Sequence, residues 1–284
     1  MAGTAAGKLP IECWELIEEW LDPKYSPKLN FIDKWAHENI LPSSLSLINK
    51  TPPDPMEVLN CVTFSRLTRL EIERATLPHF SHPNLRILYA QSSMIELGDM
   101  PRLEKIIMYG GVVDVVGRIP ALEKIMINTK RCPSNLISKL INKCRETIRH
   151  VTLSHAQCIG YDLCGCPNLE EVIIHDPDIL VLDKLPNLRR AIISGALLIH
   201  FGDLPKISKL SLHDCHSVTI NLPSLDHLCI YNTRIRKLYL HKISRITKNG
   251  ICEIEEIVVP PGRSPVSIVP GENYISCPSP PTLL

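Results

Sequence analysis

The stretch LPNLRRAIISGALLIHFGDLP, Leu185 to Pro205, opens and closes on the same dipeptide and sets an apolar residue at almost every second position. Alternation of this kind marks a half-buried strand. Two such runs occur in it, Leu188/Ala191/Ile193 and Ile199/Phe201, and one unit therefore reads as strand, tight turn, second short strand and a proline-marked turn.

Working outward, the pattern Pro-x-Leu-x-x-apolar-x-apolar recurs in one register. It is carried by Pro83/Leu85/Leu88/Ala90, Pro101/Leu103/Ile106/Met108, Pro120/Leu122/Ile125/Ile127, Pro167/Leu169/Val172/Ile174, Pro186/Leu188/Ala191/Ile193, Pro205/Ile207/Leu210/Leu212 and Pro223/Leu225/Leu228/Ile230. Copies without the proline are read at Leu67/Leu70/Ile72, Ile148/Val151/Leu153, Ile235/Leu238/Leu240 and Ile254/Ile257/Val259. Most successive starts lie 18 or 19 residues apart, and a fixed period near 20 is the signature of a solenoid. A unit this short cannot bury its apolar face alone. Stacked units share one continuous core, where each inward Leu, Ile or Val contributes about 1.5–3 kcal/mol.

This register resembles the leucine-rich repeat family, whose Leu-x-x-Leu-x-Leu motif lines one side of a curved solenoid. The resemblance spans Leu67 to Val259, with one departure: the family's asparagine position is held by Ser92, Gly110, Asp176, Gly195, Asp214 and Asn232. Only the step from Leu122 to Ile148 has room for a full helix. There SNLISKLINKCRET places Leu136, Ile137, Leu140, Ile141 and Cys144 on one face, with Ser134 or Asn135 available as N-cap.

Ahead of the repeats, LPIECWELIEEWLDP (Leu9 to Pro23) reads as a helix, with Pro10 in its first turn, Glu12 and Glu15 near the positive end of the dipole and Asp22-Pro23 ending it. Its apolar residues form two ribbons, Cys13/Leu16/Ile17/Trp20 and Trp14/Ile17/Leu21, enough for two partners. The spacing Leu9, Pro10, Glu12, Ile17, Leu21, Asp22, Pro23 resembles the start of an F-box, the helical module that docks a substrate receptor onto the adaptor of a cullin-RING ubiquitin ligase. Lys34-Trp35, in a second helical stretch KLNFIDKWAHENIL, is similar to an element of that family's second half, and its third helix would fall in PSSLSLINK. The resemblance implies an adaptor-binding surface of Leu9, Pro10, Trp14, Ile17, Leu21 and Trp35. The alternative is a helical cap shielding the first repeat.

Between the inward leucines, the central outward position reads Tyr89, Ile107, Met126, Thr152, Ile173, Ile192, Ser211, Cys229, Tyr239 and Val258. The position beyond it reads Gln91, Tyr109, Asn128, Ser154, His175, Ser194, His213, Tyr231 and His241. An apolar stripe beside a Tyr/His column is what a protein-recognition surface requires, and Tyr89, Tyr109, Met126, His175, His213, Tyr231 and Tyr239 are its candidate target-binding residues. The alternative is that strand propensity selects these residues and a second layer covers them. Flanking charges change sign, as in Glu104/Lys105, Glu123/Lys124, Glu170/Glu171 and Arg189/Arg190, a mixture that favours a protein partner.

Composition narrows the remaining classes. The 284 residues are 44% hydrophobic and 21% charged, the make-up of a globular chain with an extended core. Thirty-one basic residues against 30 acidic ones argue against a phosphate-backbone binder, so nucleic acid is not an expected partner. No window reaches the roughly 18 apolar residues of a membrane span, and MAGTAAGKLP lacks the features of a signal peptide, which points to cytoplasm or nucleus. Eleven irregularly spaced cysteines fit reduced thiols better than a disulfide framework. His213 to His216 and Cys158 to Cys166 lack paired metal-ligand spacing, no nucleophile elbow surrounds any Cys or His, and MYGGVVDVVG is no phosphate loop. Neither metal nor cofactor is expected, and the chain is not read as an enzyme. The tail beyond Pro260, dense in proline, cannot form a central strand or a continuous helix.

The expected architecture is an α/β repeat solenoid, leucine-rich-repeat-like, built of short 18–19-residue and mostly β repeats behind a small helical N-terminal module. Residues 1–50 form the F-box-like module or cap, 60–259 the solenoid and 260–284 the Pro-rich tail. The expected role is substrate recognition for a cullin-RING ligase, with an unknown target protein on the repeat face. The alternative role is a repeat scaffold with no ubiquitin function.

Overall fold

A computed structural model describes residues 44–47, 67–129, 132–154, 159–259, 261 and 267–270. In chain order the strands are β1 (Ser44–Leu47), β2 (Arg69–Glu73), β3 (Thr76–Phe80), β4 (Ile87–Leu97), β5 (Lys105–Val115) and β6 (Lys124–Asn128), then helix α1 (Ser134–Lys143). They continue as β7 (His150–Ser154), β8 (Ile159–Asp162), β9 (Glu171–His175), β10 (Ile179–Leu182), β11 (Arg190–Ser194), β12 (Leu198–Phe201) and β13 (Lys209–His213). The last are β14 (Val218–Ile220), β15 (His227–Tyr231), β16 (Arg234–Tyr239), β17 (Arg245–Asn249), β18 (Glu253–Val258) and β19 (Ser267–Pro270).

These strands wind as a parallel β-solenoid. One long sheet runs β1-β2-β4-β5-β6-β7-β9-β11-β13-β15-β17-β19, every pairing parallel. The opposite wall is made of shorter pieces: β3 beside the second half of β4, then β8-β10-β12, then β14-β16-β18. The repeat solenoid read from the sequence is thus present.

The inward positions line one core between the walls. Leu70, Leu88, Ile106, Ile125, Val151, Val172, Ala191, Leu210 and Leu228 are buried from the long sheet, and Ile95, Leu97, Leu180, Leu182, Ile199, Val218 and Ile220 from the other side. Helix α1 takes the place of a second-wall strand between β5 and β8. It seals the core with Ile137, Leu140, Ile141 and Cys144, while Leu136 is only partly buried. Pro133 rather than Ser134 or Asn135 occupies its N-cap, without a side-chain hydrogen bond.

Two features of the turns follow from residue chemistry. Pro101, Pro120, Pro167, Pro186, Pro205 and Pro223 each follow a buried residue whose carbonyl accepts the N–H of the repeat leucine or isoleucine, as in Leu188 N–H to Leu185 O at 3.2 Å. Proline's fixed φ suits the second position of such a turn, and no ladder hydrogen bond is lost. In most repeats the residue that follows the five-residue long-sheet segment has a left-handed backbone: Arg74, Ser92, Gly110, Asp176, Gly195, Asp214, Asn232 and Gly250 have φ between 44° and 71°. Gly, Asn and Asp tolerate that region best, so the column that departs from the family's asparagine pattern is held by conformation.

Three assignments need correction. Ile235/Leu238/Leu240 and Ile254/Ile257/Val259 do not start new repeats, because β16 pairs with β14, and β18 with β16, on the second wall. The true continuation is β17, where Ile243 and Ile246 are buried 18 residues after Leu225 and Leu228. The third N-terminal helix sought in 42–50 does not include Ser44–Leu47, which is the strand paired with β2.

Candidate protein-binding face

Parallel register sorts the outward residues of the long sheet into three columns. The middle one reads Glu71, Tyr89, Ile107, Met126, Thr152, Ile173, Ile192, Ser211, Cys229 and Thr247. Beyond it stand Glu73, Gln91, Tyr109, Asn128, Ser154, His175, Ser194, His213, Tyr231 and Asn249. Six of the seven target-binding candidates, Tyr89, Tyr109, Met126, His175, His213 and Tyr231, therefore share one face. Tyr239 does not: it lies on β16 of the other wall, where Lys237 Nζ sits 5.3 Å from its ring centre and His241 stacks at 6.0 Å. Val258 and His241 leave the two columns with it, and Thr247 and Asn249 stand in their places.

The face is organised by short contacts between successive strands. The Tyr89 and Tyr109 rings approach to 5.7 Å at a 43° tilt, and His213 and Tyr231 to 6.1 Å at 36°. Such offset, tilted pairs suit aromatic quadrupoles. His175 Nδ1 lies 2.7 Å from Ser194 Oγ. Most of the middle column is half-buried by its own neighbours, and Ile192 is 7% exposed. No described strand or helix lies across it.

Burial sets the ionisation of the polar groups here. It holds the His213 imidazole below its usual pKa, against the opposing pull of Asp214, so the ring is neutral at pH 7. It raises the phenols of Tyr89 and Tyr109, aided for Tyr89 by Tyr109, Glu71 and Glu73. The Tyr89 hydroxyl is buried without a hydrogen-bond partner among the described residues, a condition that proteins seldom leave unmet away from functional surfaces.

The third column was missed in the sequence. It reads Arg69, Ile87, Lys105, Lys124, His150, Glu171, Arg190, Lys209, His227 and Arg245, with Glu171 its sole acid among the described residues. The dipeptides alternate in sign, but register separates them. Glu104 and Glu123 belong to the row behind and turn to its arginines, with Arg86 to Glu104 at 2.7 Å, Arg149 to Glu170 at 3.0 Å and Arg149 to Glu123 at 4.0 Å. Glu171 is taken by Arg190 at 3.0 Å and His150 at 3.6 Å. Lys105 and Lys124, side by side on β5 and β6, have no carboxylate within 4 Å among the described residues. Burial, then the charges of Lys124 and Arg69, pull the Lys105 pKa down.

Neither known protein families nor curated proteins match this chain.

Leu9, Pro10, Trp14, Ile17, Leu21 and Trp35 lie outside the described residues. Among those described, no three His, Cys, Asp or Glu side chains are placed to share a metal ion. The buried thiols are unreactive in character, burial pushing Cys144 up to about 12 and Cys215 up to about 11. No described helix is long and apolar enough to cross a membrane.

Proposed function

We propose that this chain is a protein-binding repeat scaffold whose long sheet holds a target polypeptide on its exposed face. The observation that supports this most is the middle column: Tyr89, Ile107 and Met126 form a half-buried apolar strip, continued past Thr152 by Ile173, beside aromatic and polar residues on a face that no described element covers. Apolar strips of this extent on a solvent face mark interaction sites. The buried thiols, with their raised pKa values, lend no support to catalysis.

The proposal includes a second part, delivery of the target to a cullin-RING ligase through Leu9, Pro10, Trp14, Ile17, Leu21 and Trp35, which rests on the N-terminal sequence. One experiment addresses both. Full-length chain carrying a photo-crosslinking residue at Met126 is expressed in cells with the tagged ligase adaptor. A target cross-linked at Met126 should be lost in Tyr109→Ala with Tyr231→Ala at unchanged Tm, and the adaptor should be lost only in Ile17→Glu with Leu21→Glu. A target retained by the tyrosine variant removes the face as the binding site. An adaptor that never co-purifies leaves a scaffold without a ubiquitin role.

A further inference from the structure

We infer that the partner held at β4–β6 is an amphipathic helix with an acidic stripe beside an apolar one. This rests on the protein-binding reading of the same face and specifies the chemistry of its occupant.

Lys105 and Lys124 are adjacent half-buried cations, with no carboxylate within 4 Å among the described residues, on a chain whose net charge is only +1. Nearby acids exist, but Glu104 and Glu123 are drawn to Arg86 and Arg149 in the row behind. Two like charges held side by side on a rigid sheet repel, and an external anion relieves that repulsion. Glu71 and Glu73 stand by Tyr89 at the end of the face, and the Lys105–Lys124 pair is left wanting an acid that a partner can supply.

Geometry then selects the partner's shape. Successive strands of a sheet lie about 4.8 Å apart, so each column repeats at that spacing, and neighbouring columns lie about 6.7 Å apart. A helix laid along the columns presents residues i, i+3 and i+4 once per turn of about 5.4 Å. Over three strands the two rows stay nearly in step. Its carboxylates fall on Lys105 and Lys124 while its apolar stripe falls on Ile107 and Met126, flanked by the Tyr89–Tyr109 pair. An extended segment repeats its side chains about every 6.7 Å and loses step after one strand. A nucleic acid would meet the two lysines and the Tyr89–Tyr109 rings but leave Ile107 and Met126, which offer no ring for a base, unused.

The test uses full-length chain and an 18-residue synthetic helix with Glu on one stripe and Leu on the next. Its Glu→Gln counterpart, a proline-broken peptide of the same composition and a single-stranded thymidine oligonucleotide serve as comparisons, all read by fluorescence anisotropy. The acidic helix should bind at least about tenfold more tightly than the other three. Lys105→Glu with Lys124→Glu should weaken it by at least about tenfold, Lys105→Gln with Lys124→Gln by less, and Lys242→Glu not at all, with Tm unchanged throughout. Raising the salt should weaken it further. If the Gln helix binds equally well and the lysine variants have no effect, the acidic helix is overturned while the face stands as a protein site. Tighter binding of the proline-broken peptide or the oligonucleotide overturns it as well. If no probe binds and Met126 cross-links nothing, both readings fall together.

Discussion

Gly110 and Gly111 are neighbours with positive φ, 71° and 81°, yet the chain needs them for different reasons. A side chain at Gly110 would meet Ser92 Oγ at 3.5 Å, an ordinary contact, and Ser92, Asp176, Asp214 and Asn232 occupy the same place in other repeats. A Cβ on Gly111 would overlap the backbone carbonyl of Ser93, which cannot move without disturbing β4. Gly110→Asn should therefore be nearly neutral and Gly110→Ala should cost about 1 kcal/mol for its left-handed backbone. Gly111→Ala should cost on the order of 3 kcal/mol or more. Urea midpoints of the three variants check the order. Equal losses for the two alanine variants would mean that strain at φ, not the Ser93 contact, governs both.

At the scale of the element, helix α1 is fixed by its apolar face rather than by charge. Lys139 Nζ reaches Asp114 Oδ1 on β5 at 2.6 Å, and that hydrogen bond, reinforced by the Val115 N–H, holds the Asp114 carboxyl below its ordinary pKa. A lowered carboxylate pKa stabilises the fold fully above the unfolded value near 3.9, and the contribution fades as pH falls through the folded one. Both side chains stay partly in water, so the pair is worth about 0.5 kcal/mol. Asp114→Asn should show a small loss at pH 7 that shrinks as pH falls below about 3.9, whereas Leu140→Ala, emptying a fully buried site, should cost about 2–5 kcal/mol on both sides of that pH. Denaturant titrations on the two sides separate these. A pH-independent loss in Asp114→Asn would sink the ion-pair account.

The helix also shows what the sequence could reveal. Its apolar face was legible because a period of 3.6 differs from the period of two around it. Long-sheet strands were legible wherever proline marked the turn. The wall to which β16 and β18 belong is not legible, because both walls alternate with the same period and no proline precedes Ile235 or Ile254. β17 is hidden because Lys248 stands where a third apolar residue belongs. The Tyr/His column followed from counting within repeats, but the Lys/Arg column did not. Glu104 and Lys105 are adjacent in sequence, and only strand register shows that one joins a paired row and the other a row facing solvent.

For the whole molecule, a solenoid whose turns touch only their neighbours should tolerate loss of one complete turn and not of half of one. The opening stretch supplies the cut. Removing Pro186 to Leu204, a 19-residue period, joins Leu185 to Pro205 and restores the original dipeptide. β9 would then meet β13 with Val172 opposite Leu210 and Ile174 opposite Leu212, the same inward pairs that β11 now makes with each. On the second wall β10 would face β14 in place of β12. The shortened chain should unfold in one cooperative transition, with a circular dichroism signal per residue like that of the parent and a lower Tm from one lost interface. Removing only Pro186 to Ser194 deletes β11 but keeps β12, and sets strands of opposite walls in each other's place. That variant should fail to fold cooperatively. Since β4–β6 lie several turns away, the 19-residue deletion should also keep the affinity for an acidic helix that Lys105 and Lys124 confer. Collapse of both deletions alike would mean that the walls are coupled over longer distances than a nearest-neighbour stack allows.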